Sequence, residues 1–417
     1  MLIYTSGCSI PGIRGAVMPP RAFTITGDTT MTLDRWTLLD TAQGQFADHL
    51  RIGPEELGSG WEDCQIVQQR LRGGLSDGVD QVHVQCGQVR FTVLPTRGMG
   101  LWKAWVGDDE FGWKSPNRGP VHPKFVPVTD PIGWLDGFDE LLVRCGLESN
   151  GAPDFDQNGC VKYPLHGRIA NRPAHKVLVT VDRGAEEISI TGVVEESRFL
   201  LRRLSLTSTI TVRRGEPWLK ITDQIQNLSA NPAEVQMLYH INFGKPLLDA
   251  GSRFIAPARR VVPRDARAAE GIATWNRYAP PVAGYAEQVY FLELIGDDSG
   301  ATQTLLKNAA EDRGVSVHAN TNQLPCFSLW KNTAAEQDGY VTGLEPGTNF
   351  PNPRSVESQR GRTVKLDPGT STTFDLMLDF HTDSTAVRNA EEEIAMLRGL
   401  TRPDVCDQPQ SDWCVIG

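Results

Sequence analysis

Short runs in which apolar and polar residues alternate follow one another along most of the chain. Clear examples lie at 176–181 (KVLVTV), 187–194 (EISITGVV), 204–212 (LSLTSTITV) and 372–378 (TTFDLML). This alternation is typical of β-strands with one buried face, because successive side chains point to opposite sides of a sheet. Glycines and prolines separate the runs, as expected for short strands joined by turns. The pattern predicts an all-β protein, a sandwich or barrel rather than a series of βαβ units.

Further runs predict strands, and helical patterns are few. The additional apolar runs are at 82–93, 218–225, 288–294, 314–318 and 362–366. Residues 382–397 (TDSTAVRNAEEEIAML) predict a helix capped by Asp383 or Ser384. Residues 131–143 are a second, shorter helix candidate. There is no repeat of fixed period and no long linker. We expect a single domain at 32–398, a partly disordered N-terminal extension at 1–31 and a C-terminal tail at 399–417.

Charge and cysteine content narrow the classes of partner. The 417 residues include 41 Lys and Arg against 51 Asp and Glu, a net charge of −10. An acidic surface disfavours nonspecific binding to nucleic acid or anionic lipid. No apolar run approaches the roughly 20 residues that span a bilayer, and glycine and proline interrupt the first residues where a signal peptide would need an apolar segment. Eight cysteines without CxxC or zinc-finger spacing fit free thiols. We expect a cytoplasmic protein.

Two histidines stand out as candidate ligand contacts. His166 lies in YPLHGRIANRPA, a polar segment bounded by prolines that suggests a loop facing a cleft. His240 lies in QMLYHINFGKPL, where a strand would place it on the same face as Leu238 and Asn242. Two polar groups inside an apolar segment need partners, and a bound ligand is one candidate. The alternatives are a surface-turn histidine for His166 and a core histidine bonded to backbone for His240.

A carboxylate and an arginine are further candidates. Glu345 in YVTGLEPGTNFPN follows a predicted strand, and burial there would raise its pKa toward the range of a general base. An exposed turn glutamate is the alternative. Arg97 in LPTRGMGLW precedes Trp102, Trp105 and Trp113; tryptophan rings stack on sugars and arginine forks bind hydroxyl pairs. The alternative places these tryptophans in the core.

Other chemistry finds little support in the sequence. Cys145 would be nucleophilic only beside a base, and a buried structural thiol is the simpler interpretation. Asp154 and Asp156 resemble part of a calcium loop, but the remaining EF-hand ligand positions are missing. The chain contains no P-loop, GxGxxG or HExxH motif.

Taken in order, these segments resemble the galactose mutarotase (aldose 1-epimerase) superfamily. The shared features are the His-Gly loop at His166, the strand histidine His240 with Asn-Phe after it, and the Gly-x-Glu-Pro at Glu345. TRGMGL, the 137–147 segment and LHGR followed by Pro-Ala resemble a poorly characterised bacterial branch. The resemblance covers about residues 80–380 and implies a large antiparallel β-supersandwich with few short helices.

The resemblance also implies roles for individual residues. Glu345 would be the general base on the anomeric hydroxyl, His240 the general acid on the ring oxygen, and His166 would position the sugar. Arg97, Arg168 and Asn242, with Trp113 and Lys245, would contact the substrate, a monosaccharide or short saccharide. Such a reaction uses no metal and no organic cofactor. The protein would act as a monomer or homodimer.

One departure from the family bears on the substrate. Family members active on galactose or glucose often carry His-Pro-Tyr-Phe-Asn-Leu, whereas this chain has His240-Ile-Asn-Phe-Gly-Lys245. We therefore expect an altered pocket with a nearby cation, which leaves room for an acidic or modified sugar. Three hypotheses remain: a mutarotase, a non-catalytic sugar-binding module, and a hydrolase, lyase or isomerase that uses the same cleft.

Overall fold

The computed structural model describes residues 33–415, so the N-terminal extension predicted at 1–31 lies outside the described residues. Twenty-six strands follow one another in this part of the chain. The first thirteen are β1 (Leu33–Asp40), β2 (Gln45–Phe46), β3 (His49–Ile52), β4 (Cys64–Arg70), β5 (Asp80–Cys86), β6 (Val89–Leu94), β7 (Gly100–Val106), β8 (Asp109–Phe111), β9 (Leu142–Leu147), β10 (Asp154–Phe155), β11 (Val161–Tyr163), β12 (Lys176–Asp182) and β13 (Glu187–Arg198). The others are β14 (Arg202–Arg213), β15 (Trp218–Asn227), β16 (Ala233–Gly244), β17 (Arg253–Ile255), β18 (Ala258–Pro263), β19 (Gln288–Leu294), β20 (Ala301–Lys307), β21 (Gly314–Asn320), β22 (Cys326–Asn332), β23 (Val341–Gly347), β24 (Val364–Leu366), β25 (Ser371–His381) and β26 (Asp404–Val405).

Two large sheets contain nearly all of these strands. The smaller has ten strands in the order β17-β20-β21-β25-β15-β14-β13-β12-β1-β2. The larger has fourteen, with β26-β18-β19-β22-β23-β16-β9-β7-β6-β5-β4-β3 along its path and β24 and β8 beside it. The paired strands of both sheets are antiparallel except for β18 with β26. The all-β, antiparallel prediction is therefore confirmed.

Four α-helices occur in residues 33–415: α1 (Pro54–Leu57), α2 (Ala266–Glu270), α3 (Arg354–Gln359) and α4 (Ser384–Arg398). The prediction for 382–397 is confirmed as α4, and Asp383 caps it by accepting from the backbone N–H groups of Thr385 and Ala386. The candidate at 131–143 instead forms only a 3-10 turn, Gly133–Gly137, before β9. Its glycines favour such a turn, since glycine is a poor helix former.

Two other segments differ from the sequence prediction. The run at 82–93 folds as two strands, β5 and β6, around Gly87, whose φ of 61° suits a hairpin turn. The segment predicted as a C-terminal tail packs on the larger sheet: β26 pairs with β18, and Cys414 is buried. Trp413 contacts Phe350, at 4.8 Å between ring centroids. Cys406, Trp413 and Cys414 of this C-terminal segment pack in one apolar cluster with Phe350, which accounts for the packing.

Strand β16 is buried on both faces, and this arrangement positions the site. Met237, Tyr239 and Ile241 point into the core between the two sheets. Leu238 belongs to a second apolar cluster on the opposite face, where loops at 113–140 cover the sheet. Because side chains alternate along a strand, His240 and Asn242 face these loops. The polar pair predicted on one face is therefore enclosed within the protein.

A buried ion pair joins the two sheets behind β16. Arg144 on β9 and Asp223 on β15 are fully buried and bonded through two guanidinium nitrogens, one of them at 3.1 Å from Asp223 Oδ1. Arg144 also donates to the carbonyl of Met99 at 2.6 Å and to Ser208 Oγ at 2.8 Å. Every polar atom of this pair thus has partners, as burial of charge requires.

We predict that Arg144→Met lowers the free energy of unfolding by about 3–5 kcal/mol, because it leaves the Asp223 carboxylate buried without its partner. Chemical denaturation measures this loss. The matched double variant Arg144→Met/Asp223→Leu should recover much of the loss, because both charges are then absent. A single variant as stable as the wild type would contradict the assigned role.

Candidate active site

The register of β16 against β23 places His240 directly opposite Glu345. Ile241 pairs with Leu344 and Leu238 pairs with Gly347, so the residues between them face each other. His240 Nε2 lies 3.1 Å from Glu345 Oε1. Only 4% of His240 and 3% of Glu345 is exposed. The structure therefore brings together the two residues that the sequence predicts as an acid and a base.

A glycine makes room for this pair. Gly343 lies two residues before Glu345, on the same face of β23. A Cβ atom at this position would lie 2.6 Å from the Glu345 carboxylate and 2.9 Å from the His240 ring. Any side chain would displace one of them, so the Gly-x-Glu spacing in the sequence has a steric cause.

Asn242 fixes the proton on the far side of His240. Its Nδ2 donates to the carbonyls of Glu140 and His240, both at 3.0 Å. This turns Oδ1 toward His240 Nδ1, 2.5 Å away, which must therefore donate its N–H. The remaining nitrogen, Nε2, faces Glu345. A single mobile proton then lies between Nε2 and the carboxylate, whichever of the two groups carries it.

Burial governs the ionisation of the pair. It raises the pKa of Glu345 well above its ordinary value, and the negative charge of Glu287 adds to this. It holds the pKa of His240 well below its ordinary value, with a further contribution from His166. Both shifts favour a neutral imidazole beside a protonated carboxyl. Moving the proton within the pair creates no net charge in the pocket, so the ion-pair form remains accessible.

His166 lies beside this pair, on the loop between β11 and β12. Its ring centroid is 5.4 Å from that of His240. Nδ1 lies 2.9 Å from the carbonyl of Asn150 and donates to it, which leaves Nε2 as an acceptor. Its backbone is left-handed, with φ at 56°, and a Cβ on the next residue, Gly167, would lie 2.1 Å from the Ser149 carbonyl. Gly167 is therefore required for the turn that carries the His166 ring.

Aromatic rings enclose the three residues in a small cavity of about 230 Å³. Trp134 meets His166 edge to face at 4.5 Å between centroids, and Phe138 and Trp330 meet His240 at 5.1 and 5.3 Å. Pockets for drug-sized ligands run to roughly 300–1,000 Å³. The cavity therefore suits one small ring, with apolar faces and a few polar groups.

Arg264 and Glu287 also line the cavity. Neither residue is among the site residues predicted from the sequence. Glu287 accepts from Trp330 Nε1 at 2.6 Å and from Arg264 at 3.0 Å, while Arg264 also pairs with Asp265 at 2.9 Å. Two carboxylates thus flank one guanidinium. The sequence gives only a weak indication of their role. Glu287 directly precedes the run at 288–294 that predicts a strand, so it could be expected only at the end of that strand.

Two predicted substrate-binding arginines lie outside the cavity. Arg97 is 1% exposed; it pairs with Glu140 at 2.5 Å and donates to Asn171 Oδ1 at 2.8 Å and to the carbonyl of Gly137 at 2.9 Å. Because its guanidinium nitrogens are all hydrogen-bonded within the protein, Arg97 stabilises the loop at 133–140. Arg168 is 3.8 Å from Glu148 and is not part of the cavity lining.

The other two predicted contacts line a different cavity. Trp113 packs on Phe138 at 4.8 Å between centroids and donates to the Glu140 carbonyl at 3.0 Å. Lys245 pairs with Glu336. Both side chains line a neighbouring cavity of about 810 Å³. The cation expected in an altered sugar pocket therefore lies elsewhere.

No group of three or more His, Cys, Asp or Glu side chains within residues 33–415 is arranged to hold a metal ion. None of the helices in the same range is both long and apolar enough to cross a membrane.

Comparisons with known proteins identify the family and the fold of the chain. Residues 76–380 match the family model of a domain of unknown function, DUF4432. A solved structure of a Klebsiella pneumoniae protein that carries an aldose 1-epimerase assignment is 34% identical, with a TM-score of 0.87 over 91% of this chain and 99% of that one. No curated protein matches.

More distant structures share the fold. A galactose mutarotase-like protein from Clostridium acetobutylicum is 15% identical, with a TM-score of 0.54 over 77% of this chain and 99% of that one. A galactose 1-epimerase from Lactobacillus acidophilus is 12% identical, with a TM-score of 0.50 over 76% of this chain and 98% of that one. The chain belongs to the DUF4432 family and has the galactose mutarotase-like fold.

Proposed function

We propose that the protein is a mutarotase that interconverts the anomers of an aldose. The observation that carries this proposal is the buried contact of 3.1 Å between His240 and Glu345. Mutarotation needs a base on the anomeric hydroxyl and an acid on the ring oxygen, two atoms bonded to the same carbon. Two adjoining groups that share one proton suit this requirement.

In the proposed reaction, the shared proton first moves from the Glu345 carboxyl to His240 Nε2, so that Glu345 acts as the carboxylate and His240 as the imidazolium. Glu345 takes the proton of the anomeric hydroxyl, and the oxygen forms a carbonyl with the anomeric carbon. The bond from that carbon to the ring oxygen breaks, and His240 Nε2 gives its proton to the ring oxygen. After rotation of the carbonyl group, the reverse transfers close the ring on the other face and restore both groups.

The environment of His166 supports a positioning role. Burial lowers the pKa of His166 from its ordinary 6.5 to about 4. The ring is therefore neutral near pH 7, and Nε2 is available to accept from a sugar hydroxyl. A neutral His166 also avoids repulsion with the imidazolium form of His240.

The charges at the cavity favour a neutral sugar as substrate. Arg264 already has two carboxylate partners, Asp265 and Glu287. An acidic sugar would have to displace one of them and would meet the negative charge of the other. This observation favours a neutral aldose over a uronate.

We predict that Glu345→Gln lowers the rate of mutarotation by at least about 10²-fold, because an amide cannot accept the proton. Polarimetry or NMR saturation exchange on a panel of neutral aldoses and uronates measures the rate. Glu392→Gln, the same change at an exposed position of α4, is the control and should retain full activity.

Two outcomes would contradict this proposal. Wild-type protein that binds sugars without accelerating anomer exchange would indicate a binding module. A change in substrate mass, detected by mass spectrometry, would indicate a hydrolase or lyase, because mutarotation leaves the mass unchanged.

The low pKa of His166 predicts a stability effect with a defined sign. Between pH 6.5 and 4 the unfolded chain binds a proton at this residue that the folded protein excludes. Stability should therefore fall as the pH is lowered through this window, by up to about 1.4 kcal/mol per pH unit from this group. Denaturant unfolding of His166→Gln should show a shallower decline. Exposed His49→Gln is the control, and equal slopes for His166→Gln and wild type would contradict the assignment.

A further inference from the structure

The cavity next to the candidate active site has a different chemical character. Its volume is about 810 Å³, and its lining includes Trp102, Lys114, Arg118 and Asp139. It contains Trp113 and Lys245, which the sequence predicts as ligand contacts but which lie outside the active-site cavity. We call it the basic cavity.

Two layers of aromatic side chain separate the two cavities. Phe138 lines the active-site cavity and packs on Trp113, which lines the basic cavity. Both rings are buried, at 6% and 4% exposure. A monosaccharide that contacts His240 and Glu345 in the active-site cavity lies on the other side of these two rings, and the basic cavity would take a separate ligand.

Charge distinguishes the basic cavity from the rest of the chain. Four cationic side chains line it, Lys103, Lys114, Arg118 and Lys245, against the two carboxylates of Asp139 and Glu336. The whole chain carries a net charge of −10. A positive cavity in an acidic protein attracts anions and concentrates them locally.

Two of these cations are uncommitted. Lys103 pairs with Glu110 at 3.0 Å, and Lys245 pairs with Glu336. Lys114 and Arg118 are exposed, and neither has a carboxylate within 4.0 Å among the residues that the structure describes. Both can therefore bind a ligand without breaking an existing ion pair.

Three neutral side-chain donors of the cavity are already in use. Trp102 Nε1 donates to Asp139 Oδ2 at 2.8 Å, and Ser115 Oγ donates to the Phe138 carbonyl at 2.7 Å. The Tyr340 hydroxyl donates to the Ala279 carbonyl at 2.5 Å. The free donors are chiefly the ammonium and guanidinium groups, which favour anionic oxygens over sugar hydroxyls.

We propose that the basic cavity is a binding site for a small organic anion, a phosphate or carboxylate, held by Lys114 and Arg118. The guanidinium of Arg118 can bind two oxygens of one anionic group, and Lys114 supplies a second positive charge. The partly exposed ring of Trp102 provides an apolar surface for the organic part of the ligand.

Calorimetric titration of the full chain tests the site. The probes are inorganic phosphate, glucose 6-phosphate, glucuronate and, as a neutral comparison, glucose, at fixed ionic strength near 0.15 M because salt screens exposed charges. Wild-type protein should bind at least one anionic probe saturably. Lys114→Gln/Arg118→Gln should weaken that binding by at least about tenfold, because two charge-assisted contacts are lost. The preferred probe distinguishes phosphate from carboxylate recognition.

A matched control variant tests whether the binding is specific to the basic cavity. Lys365→Gln/Arg388→Gln removes the same two charges from exposed positions outside the cavity and should bind as the wild type does. Equal weakening in both double variants would show nonspecific attraction and overturn the proposal, as would the absence of saturable anion binding.

Glu345→Gln separates this site from the proposed mutarotase activity. The variant should lose mutarotation and keep anion binding, because Glu345 lies beyond the aromatic wall. Loss of anion binding in Glu345→Gln would place the anion in the active-site cavity and overturn the proposal. A wild type that binds anions through Lys114 and Arg118 but has no mutarotase activity would support this site while contradicting the proposed function.

Discussion

The burial of β16 on both of its faces is the constraint on which the site depends. One face packs into the core between the sheets, and the other lies beneath the loops at 113–140. Behind the strand, the Arg144–Asp223 pair links the sheets, with both charges fully buried. A strand held in this way cannot shift by one residue, because a shift would send His240 into the core and Tyr239 into the site.

The same burial determines the chemistry of the site. Because both side chains are buried, an isolated charge on either His240 or Glu345 would be costly, whereas a neutral pair that shares one proton is not. Asn242 fixes the outer proton of the imidazole, so the inner nitrogen and the carboxylate together offer one donor and one acceptor. Packing and hydrogen bonding thus hold His240 and Glu345 in contact. The net charge of the pair is zero whether the shared proton is on the carboxylate or on the imidazole.

Much of the fold could be predicted from local sequence patterns. Fewer of the residues that form the site could be predicted in this way. Alternating runs identified the strands, and Asp383 identified the start of α4. Arg97 shows the limit: its partner Glu140 is 43 residues away, and no local pattern reveals that the pair is buried. Trp330 and Glu287 reach the site only because the sheet order places β22 and β19 near β23. Their participation depends on topology, whereas His166, His240 and Glu345 were identified from the order of their motifs.

A crystal structure of the protein with a neutral aldose bound would test the proposed roles of His240 and Glu345. We predict that the ring oxygen lies within hydrogen-bonding distance of His240 Nε2 and the anomeric oxygen within that distance of Glu345. A hydroxyl should also donate to His166 Nε2. A sugar bound with its anomeric carbon away from both His240 and Glu345 would contradict these roles.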